Sequence, residues 1–286
     1  GELKWAADQG IGTPTPVLAN DSLVWRVGGG NIVSLDPDSG SERWRFAADQ
    51  AIEAAPIVIG GSLFVGGNDN YLYALDAATG AETWRFQTLG RITTSPALVD
   101  DRLFADSEDG TLYALDPASG ADLWRFRTSS IRNSAPIVHE SNVYLGPGGN
   151  AVLALDAETG SLRWEFEPGG QILSTLAGNE WSIFATTSEG MLYELGTTSG
   201  VNGWWIDFEG DDLTLPPVAT TTLFFVATDL GALFAFTTGS GDWHWQIAVE
   251  FGVTTPIVAA PDGTIYFGAR WEGLYALDGM TSALRR

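Results

Sequence analysis

The 286-residue chain contains no cysteine, so it has no disulfide framework, no thiolate nucleophile and no Cys-based zinc or iron–sulfur site. Lysine is nearly missing too: Lys4 stands alone, and 14 basic residues face 36 acidic ones for a net charge of −22. A chain without a basic surplus has little with which to neutralise phosphates, which argues against nucleic-acid binding. The two histidines, His139 and His244, lie far apart and lack partner ligands at metal spacing. No apolar run approaches the roughly 20 residues that a membrane helix requires. A Gly-x-Ser-x-Gly elbow is also missing, which leaves hydrolysis by an activated serine without support. The opening Gly1-Glu-Leu-Lys-Trp5 shows no basic and apolar leader pattern, which fits either a cytoplasmic product or the processed part of an exported one.

What the chain does have is a repeat. Ala74-Leu-Asp-Ala-Ala-Thr-Gly-Ala-Glu-Thr-Trp84 recurs from Ala114 to Trp124, from Ala154 to Trp164 and, slightly altered, from Ser34 to Trp44. A period of about forty residues with a glycine turn and a tryptophan marks a propeller or solenoid, because one unit is too small to bury its own apolar faces. Apolar residues on both alternating sides, as in Leu112-Tyr-Ala-Leu115, suit sheets packed face to face. Turn signals every eight to twelve residues leave no room for helices of ordinary length. In the third repeat the expected strands are Ser95 to Val99, Arg102 to Ser107, Thr111 to Asp116 and Asp122 to Thr128.

An aspartate ends the third strand at Asp36, Asp76, Asp116, Asp156 and Asp278, with Gly196 and Thr237 in its place twice. The tryptophan column reads Trp5, Trp44, Trp84, Trp124, Trp164, Trp204 and Trp245, offset by one repeat at each end. The expectation is an all-β, seven-bladed β-propeller of four-stranded antiparallel blades in one domain, 1–286. The blades span about 13–48, 53–88, 93–128, 133–167, 173–208, 213–248 and 253–279, the last completed by the strand 2–6. Closure by that strand hides edges that would otherwise template aggregation.

The Ala-x-Asp-x-x-Thr-Gly-x-x-x-Trp unit at Ala74 to Trp84 resembles the tryptophan-docking motif of PQQ-repeat propellers. The resemblance covers essentially the whole chain and weakens in the last three repeats, at Val201 to Trp204 and Gly241 to Trp245. That family holds quinone-dependent dehydrogenases and a non-enzymatic lipoprotein of outer-membrane assembly, so it specifies fold more sharply than activity. Its familiar members have eight blades, and seven is a departure. The resemblance implies an extracytoplasmic location. It also implies that Gly80 permits a positive φ, that Thr79 bonds locally to the turn and that Trp84 covers the seam to the next blade.

The dehydrogenase branch holds its quinone beside calcium, commonly with two adjacent cysteines, and this chain has none. No cofactor is expected, with PQQ and calcium kept as the alternative. Asp36-Pro-Asp-Ser-Gly40 resembles the start of a calcium loop, yet the expected bidentate glutamate is Ala47, which makes it a turn. Asn20-Asp-Ser22 matches a glycosylation acceptor, relevant only to an exported chain.

Candidate binding residues are those that break the repeat. Among the segments linking fourth strands to the next blade, Glu53, Arg91, Arg132, Asn133 and Asp212 stand out against apolar or small counterparts. Here Thr13, Glu53, Thr93, Asn133, Leu173, Leu213 and Val253 are aligned, preceded by Gly12, Ile52, Ile92, Arg132, Ile172, Asp212 and Gly252. On the second strands, Arg26 and Asp106 replace a residue that is glycine in three repeats, and the loop around Arg270 and Trp271 is unlike its counterparts. A polar top-face site would let Arg91 and Arg132 fork onto a carboxylate, of another protein or of a small anionic ligand. The competing reading is a set of internal ion pairs.

The acidic surface adds one expectation. On a folded surface of about 12,000 Å² the acids lie about 18 Å apart, beyond one Debye length of ordinary buffer, so only clustering is costly. Acid excess with almost no lysine resembles proteins of salt-loving organisms. The leading functional expectation is a monomeric, salt-adapted, non-enzymatic scaffold; the alternatives are an enzyme at the channel mouth and a sensory or carbohydrate-binding module of a larger protein.

Overall fold

The computed structural model describes residues 17–19, 22–27, 29–128, 134–146, 150–172, 175–209, 211, 213, 215–228, 230–250, 252–269 and 273–284. Among them there is no helix, and the strands form seven antiparallel sheets. The fold is a seven-bladed β-propeller, as the repeat predicts. Contacts group the chain into two compact units, Gly1–Pro136 with Glu158–Gly160, and Ile137–Ala157 with Ser161–Arg286.

The first unit carries three blades. Blade 1 is Val17–Ala19, Ser22–Val27, Asn31–Leu35 and Glu42–Ala47; blade 2 is Ile57–Ile59, Ser62–Gly66, Tyr71–Asp76 and Glu82–Gln87. Blade 3 is Ala97–Val99, Arg102–Ser107, Thr111–Leu115 and Asp122–Arg127, within two residues of every predicted boundary. Two apolar clusters fill this unit, one joining Ile32 and Trp44 to Leu63 and Tyr73, the other joining Phe64 and Leu72 to Leu103 and Tyr113.

In the second unit, blade 4 is Ile137–His139, Asn142–Leu145, Val152–Asp156 and Leu162–Phe166, and blade 5 is Ala177–Gly178, Ser182–Thr186, Met191–Gly196 and Asn202–Asp207. Blade 6 is Val218–Ala219, Leu223–Ala227, Ala232–Thr237 and Trp243–Ala248. Blade 7 has Val258–Ala259, Thr264–Ala269 and Gly273–Asp278, three strands among the described residues. The predicted closing strand 2–6, with Trp5, lies outside them. The fourth-strand place of blade 7 is entered by the chain's own C-terminal hairpin: Leu284 bridges Leu277, and the Asp278 amide donates to the Ala283 carbonyl at 2.8 Å. Leu75 and Glu82 pair in the same way in blade 2.

The repeat motif works as a turn and a lock. The Asp76 carboxylate accepts from the Thr79 amide and hydroxyl, both at 2.8 Å, and from the Ala78 amide at 3.1 Å. These donors, the Thr79 hydroxyl first, hold its carboxyl below the usual range. Asp36 does the same with Ser39 and adds the Arg43 guanidinium, confirming a turn where a calcium loop was in question. At the next position Gly80 takes φ 72°, in the left-handed region where a side chain costs energy.

The glycine also makes room for a ring. A Cβ on Gly80 would lie 2.5 Å from Cε3 of Trp44, and one on Gly120 would lie 2.7 Å from Cε3 of Trp84. Each indole thus lies flat on the turn of the following blade and donates Nε1–H to its backbone, Trp44 to Ala77 at 3.1 Å and Trp84 to Pro117 at 3.0 Å. In the second unit Trp164, Trp204 and Trp245 donate in the same way to Thr197, Thr238 and Gly279. A one-residue bulge before the tryptophan recurs in blades 1 to 6, pairing Ala74 with Trp84 but Leu75 with Glu82.

Candidate functional site

Of the predicted top-face residues, Glu53 and Arg91 sit where the linker meets the hairpin between the second and third strands of its blade. The backbone already pins this junction: the amides of Asn68, Glu108 and Ser188 donate to the carbonyls of Ala51, Arg91 and Gln171 at 2.8–2.9 Å. Side chains reinforce it. Arg91 Nε donates to Glu108 Oε2 at 2.8 Å, and Asn68 Nδ2 donates to Glu53 Oε1 at 2.8 Å. The junction is braced again by Asp109, which accepts from the Leu89 amide at 2.9 Å and from the Tyr113 hydroxyl at 2.7 Å. Burial, then the bond to Asp109, pushes the Tyr113 phenol up to about 12.

Arg91 is therefore held in an ion pair within its own blade, and Glu53 by a hydrogen bond from a neutral amide rather than by an ion pair. Their outer surfaces remain open: the Arg91 side chain is about half exposed.

Asp106 is different, being 1% exposed, and neither carboxylate oxygen has a hydrogen-bond partner among the described residues. Burial, and next the charge of Asp109, raises its carboxyl well above the usual range. The repeat shows where this side chain aims. A Cβ on the equivalent Gly66 would lie 2.1 Å from Cγ2 of Ile92 in the next linker, and one on Gly146 would lie 3.0 Å from Cγ2 of Ile172. In blade 5 the Thr186 hydroxyl points to the Leu213 carbonyl at 3.5 Å.

The structure corrects one register. Ile172 bridges Thr187, Val253 bridges Ala269, and Leu213 is fully buried, so the buried linker column runs Ile52, Ile92, Ile172, Leu213 and Val253. Asp212 and Gly252 do not share it. The slip comes from one extra residue between Trp204 and Leu213, where the spacing is nine residues against eight from Trp164 to Ile172 and from Trp245 to Val253. Arg132 keeps its place in the column by sequence register, after blade 3. Arg132, Asn133, Asp212, Arg270 and Trp271 lie outside the described residues, as does the side chain of Arg26.

His244 is exposed and meets the Met280 carbonyl at 2.9 Å. Among the described residues no three His, Asp or Glu side chains converge as a metal site would require.

These features define a class, propeller repeats locked by an Asp-Thr-Gly turn and a docked tryptophan. A PQQ-repeat family model described as outer membrane protein assembly factor BamB matches residues 1–93 and 168–285, and the chain belongs to this family. BamB from Moraxella catarrhalis superposes with a TM-score of 0.79 at 20% identity, covering 95% of this chain and 84% of that one. The computationally designed Ika8 protein gives 0.85 at 16% identity, covering 95% and 85%. Quinohemoprotein alcohol dehydrogenase from Comamonas testosteroni gives 0.77 at 14%, covering 94% and 66%. At these identities the structural likeness shows the fold alone. No curated protein sequence matches the chain.

Proposed function

We propose that this protein is a non-enzymatic, extracytoplasmic and salt-adapted scaffold that binds another protein through the face carrying Glu53 and Arg91, extended in sequence by Arg132 and Asn133. The match to an outer membrane protein assembly factor over more than half of the chain carries this reading. The engagement of Arg91 with Glu108 and of Glu53 with Asn68 supports it, since both charges stiffen a surface. The dehydrogenase alternative is supported by likeness of fold only.

The test mixes the protein with PQQ and calcium, removes the excess, and follows dye reduction with ethanol and glucose. No retained quinone and no turnover are expected; tight retention with oxidation of either substrate overturns the proposal. A photo-cross-linker at position 91 reports on the partner. Adducts with a defined protein partner that disappear in Glu53→Arg support the face, and adducts indifferent to that change count against it.

A further inference from the structure

Trp181 is a second break in the repeat, in a place remote from the linkers. It occupies the turn between the first and second strands of blade 5, where Gly61, Asp101 and Ser141 stand in blades 2, 3 and 4. Its backbone is fixed on both sides. The amide donates to Asn179 Oδ1 at 2.9 Å, and the carbonyl accepts from the Thr197 amide at 3.0 Å and hydroxyl at 3.3 Å. The residue remains 71% exposed. Indoles in this protein normally lie flat on a turn and donate Nε1–H to it; this one is held by a rigid turn and turned outward.

A cavity of about 350 Å³ opens beside the ring, bounded on its far side by Thr221, Thr222 and Thr237 of blade 6. Across the Thr220–Thr222 turn a second cavity of about 490 Å³ continues toward Pro261 and Met280 of blade 7. Both volumes lie within the range of small-molecule sites. Two properties limit what fits. Neither lining contains an ionisable side chain, in a chain with 36 acidic residues. Among the described residues the hydroxyls of Thr221, Thr222 and Thr237 have no hydrogen-bond partner and face solvent, while Asn179 is occupied in tying the two turns together through Thr220 O at 3.2 Å.

A fixed exposed indole, three unused hydroxyls and an uncharged trough match the chemistry of a sugar chain. The C–H face of a pyranose packs on an aromatic ring, its hydroxyls both donate and accept, and it carries no charge. A purely apolar ligand would strand the threonine hydroxyls, and an anion would find no cation in the lining. We propose that the groove from Trp181 across Thr221 and Thr222 binds a neutral oligosaccharide, with Trp181 as the stacking platform. This site is independent of the face proposed for protein binding.

The experiment is calorimetric titration of the intact protein with cellohexaose, laminarihexaose, maltohexaose and xylohexaose. At least one is expected to bind with a Kd of about 0.1–1 mM. Trp181→Ala weakens it by at least about tenfold, Trp181→Phe retains most of it, and Thr222→Val reduces it. Trp243→Ala, at another exposed tryptophan on the fourth strand of blade 6, leaves affinity unchanged. Matching circular dichroism and melting temperatures confirm that each variant is folded. Absence of binding by all four sugars, or binding that survives Trp181→Ala, overturns the proposal. So does tight binding of a decaproline peptide in their place, which would make the groove a peptide site.

Discussion

If the docked tryptophan and the turn glycine form one lock, their mutational effects must depend on each other. Trp84→Ala removes a ring that packs on Phe64 with centroids 5.8 Å apart and donates to Pro117, a loss of about 3–5 kcal/mol for a truncation of this size. Gly120→Ala acts through two causes. The φ of 71° costs an L-residue about 1–2 kcal/mol. The new methyl, 2.7 Å from Cε3 of Trp84, adds about 1–3 kcal/mol of overpacking. Only the second cause vanishes when Trp84 is alanine. Gly120→Ala should therefore cost about 2–5 kcal/mol in the parent and about 1–2 kcal/mol in the Trp84→Ala background, a coupling of about 1–3 kcal/mol. Urea unfolding of the four proteins, followed by far-ultraviolet circular dichroism, measures it. Equal costs in both backgrounds, within about 0.5 kcal/mol, would show that the glycine serves backbone conformation alone and that the lock does not exist.

Two further predictions concern charge. Asp106 has a folded-state pKa raised above its ordinary 3.8, so the protonated form favours folding; that contribution is complete below about pH 4 and is lost as pH rises through the folded value. Asp106→Asn should melt close to the parent at pH 4 and higher than it at pH 7.5, and a difference that does not change with pH refutes the assignment. With a net charge of −22, salt-adapted folding predicts a higher melting temperature in 1 M than in 10 mM sodium chloride, as the screening length falls from about 30 to about 3 Å. An unchanged melting temperature removes that part of the proposal.

The architecture was readable in sequence because the repeat encodes it redundantly. Ala74 to Trp84 specifies a strand end, an Asp-capped turn, a left-handed glycine and a bulge, and each copy confirms the others. Blade 3 accordingly appears almost where Arg102 to Ser107 and its partners placed it. The register failed where the repeat lost this redundancy. Between Trp204 and Leu213 the spacing grows from eight residues to nine with no turn motif to mark the change, and this extra residue moved Leu213 into the buried column assigned to Asp212. The partners of Glu53 and Arg91 were unreadable for another reason: Asn68 and Glu108 lie 15 and 17 residues downstream, in hairpins whose sequence varies from blade to blade.

The sequence signal for Trp181 is an aromatic residue in a turn otherwise filled by Gly61, Asp101 and Ser141, apart from the linkers and second strands that hold the other breaks. A break gains functional meaning only when its side chain is not absorbed by the fold. Arg91 is held by Glu108, Glu53 by Asn68, and Asp106 is sealed inside a blade, so these changes alter how the blade is braced or how it responds to pH. Trp181 has its backbone fixed and its ring free, in a trough where nearby hydroxyls are also unused. Exposure alone does not single out this residue, since isolated surface indoles are ordinary and Trp205 and Trp243 are exposed as well. What separates the Trp181 groove from the other breaks is a combination: an exposed tryptophan on a hydrogen-bonded turn, beside open threonine hydroxyls in a trough without ionisable side chains, the set of contacts that a neutral sugar chain uses.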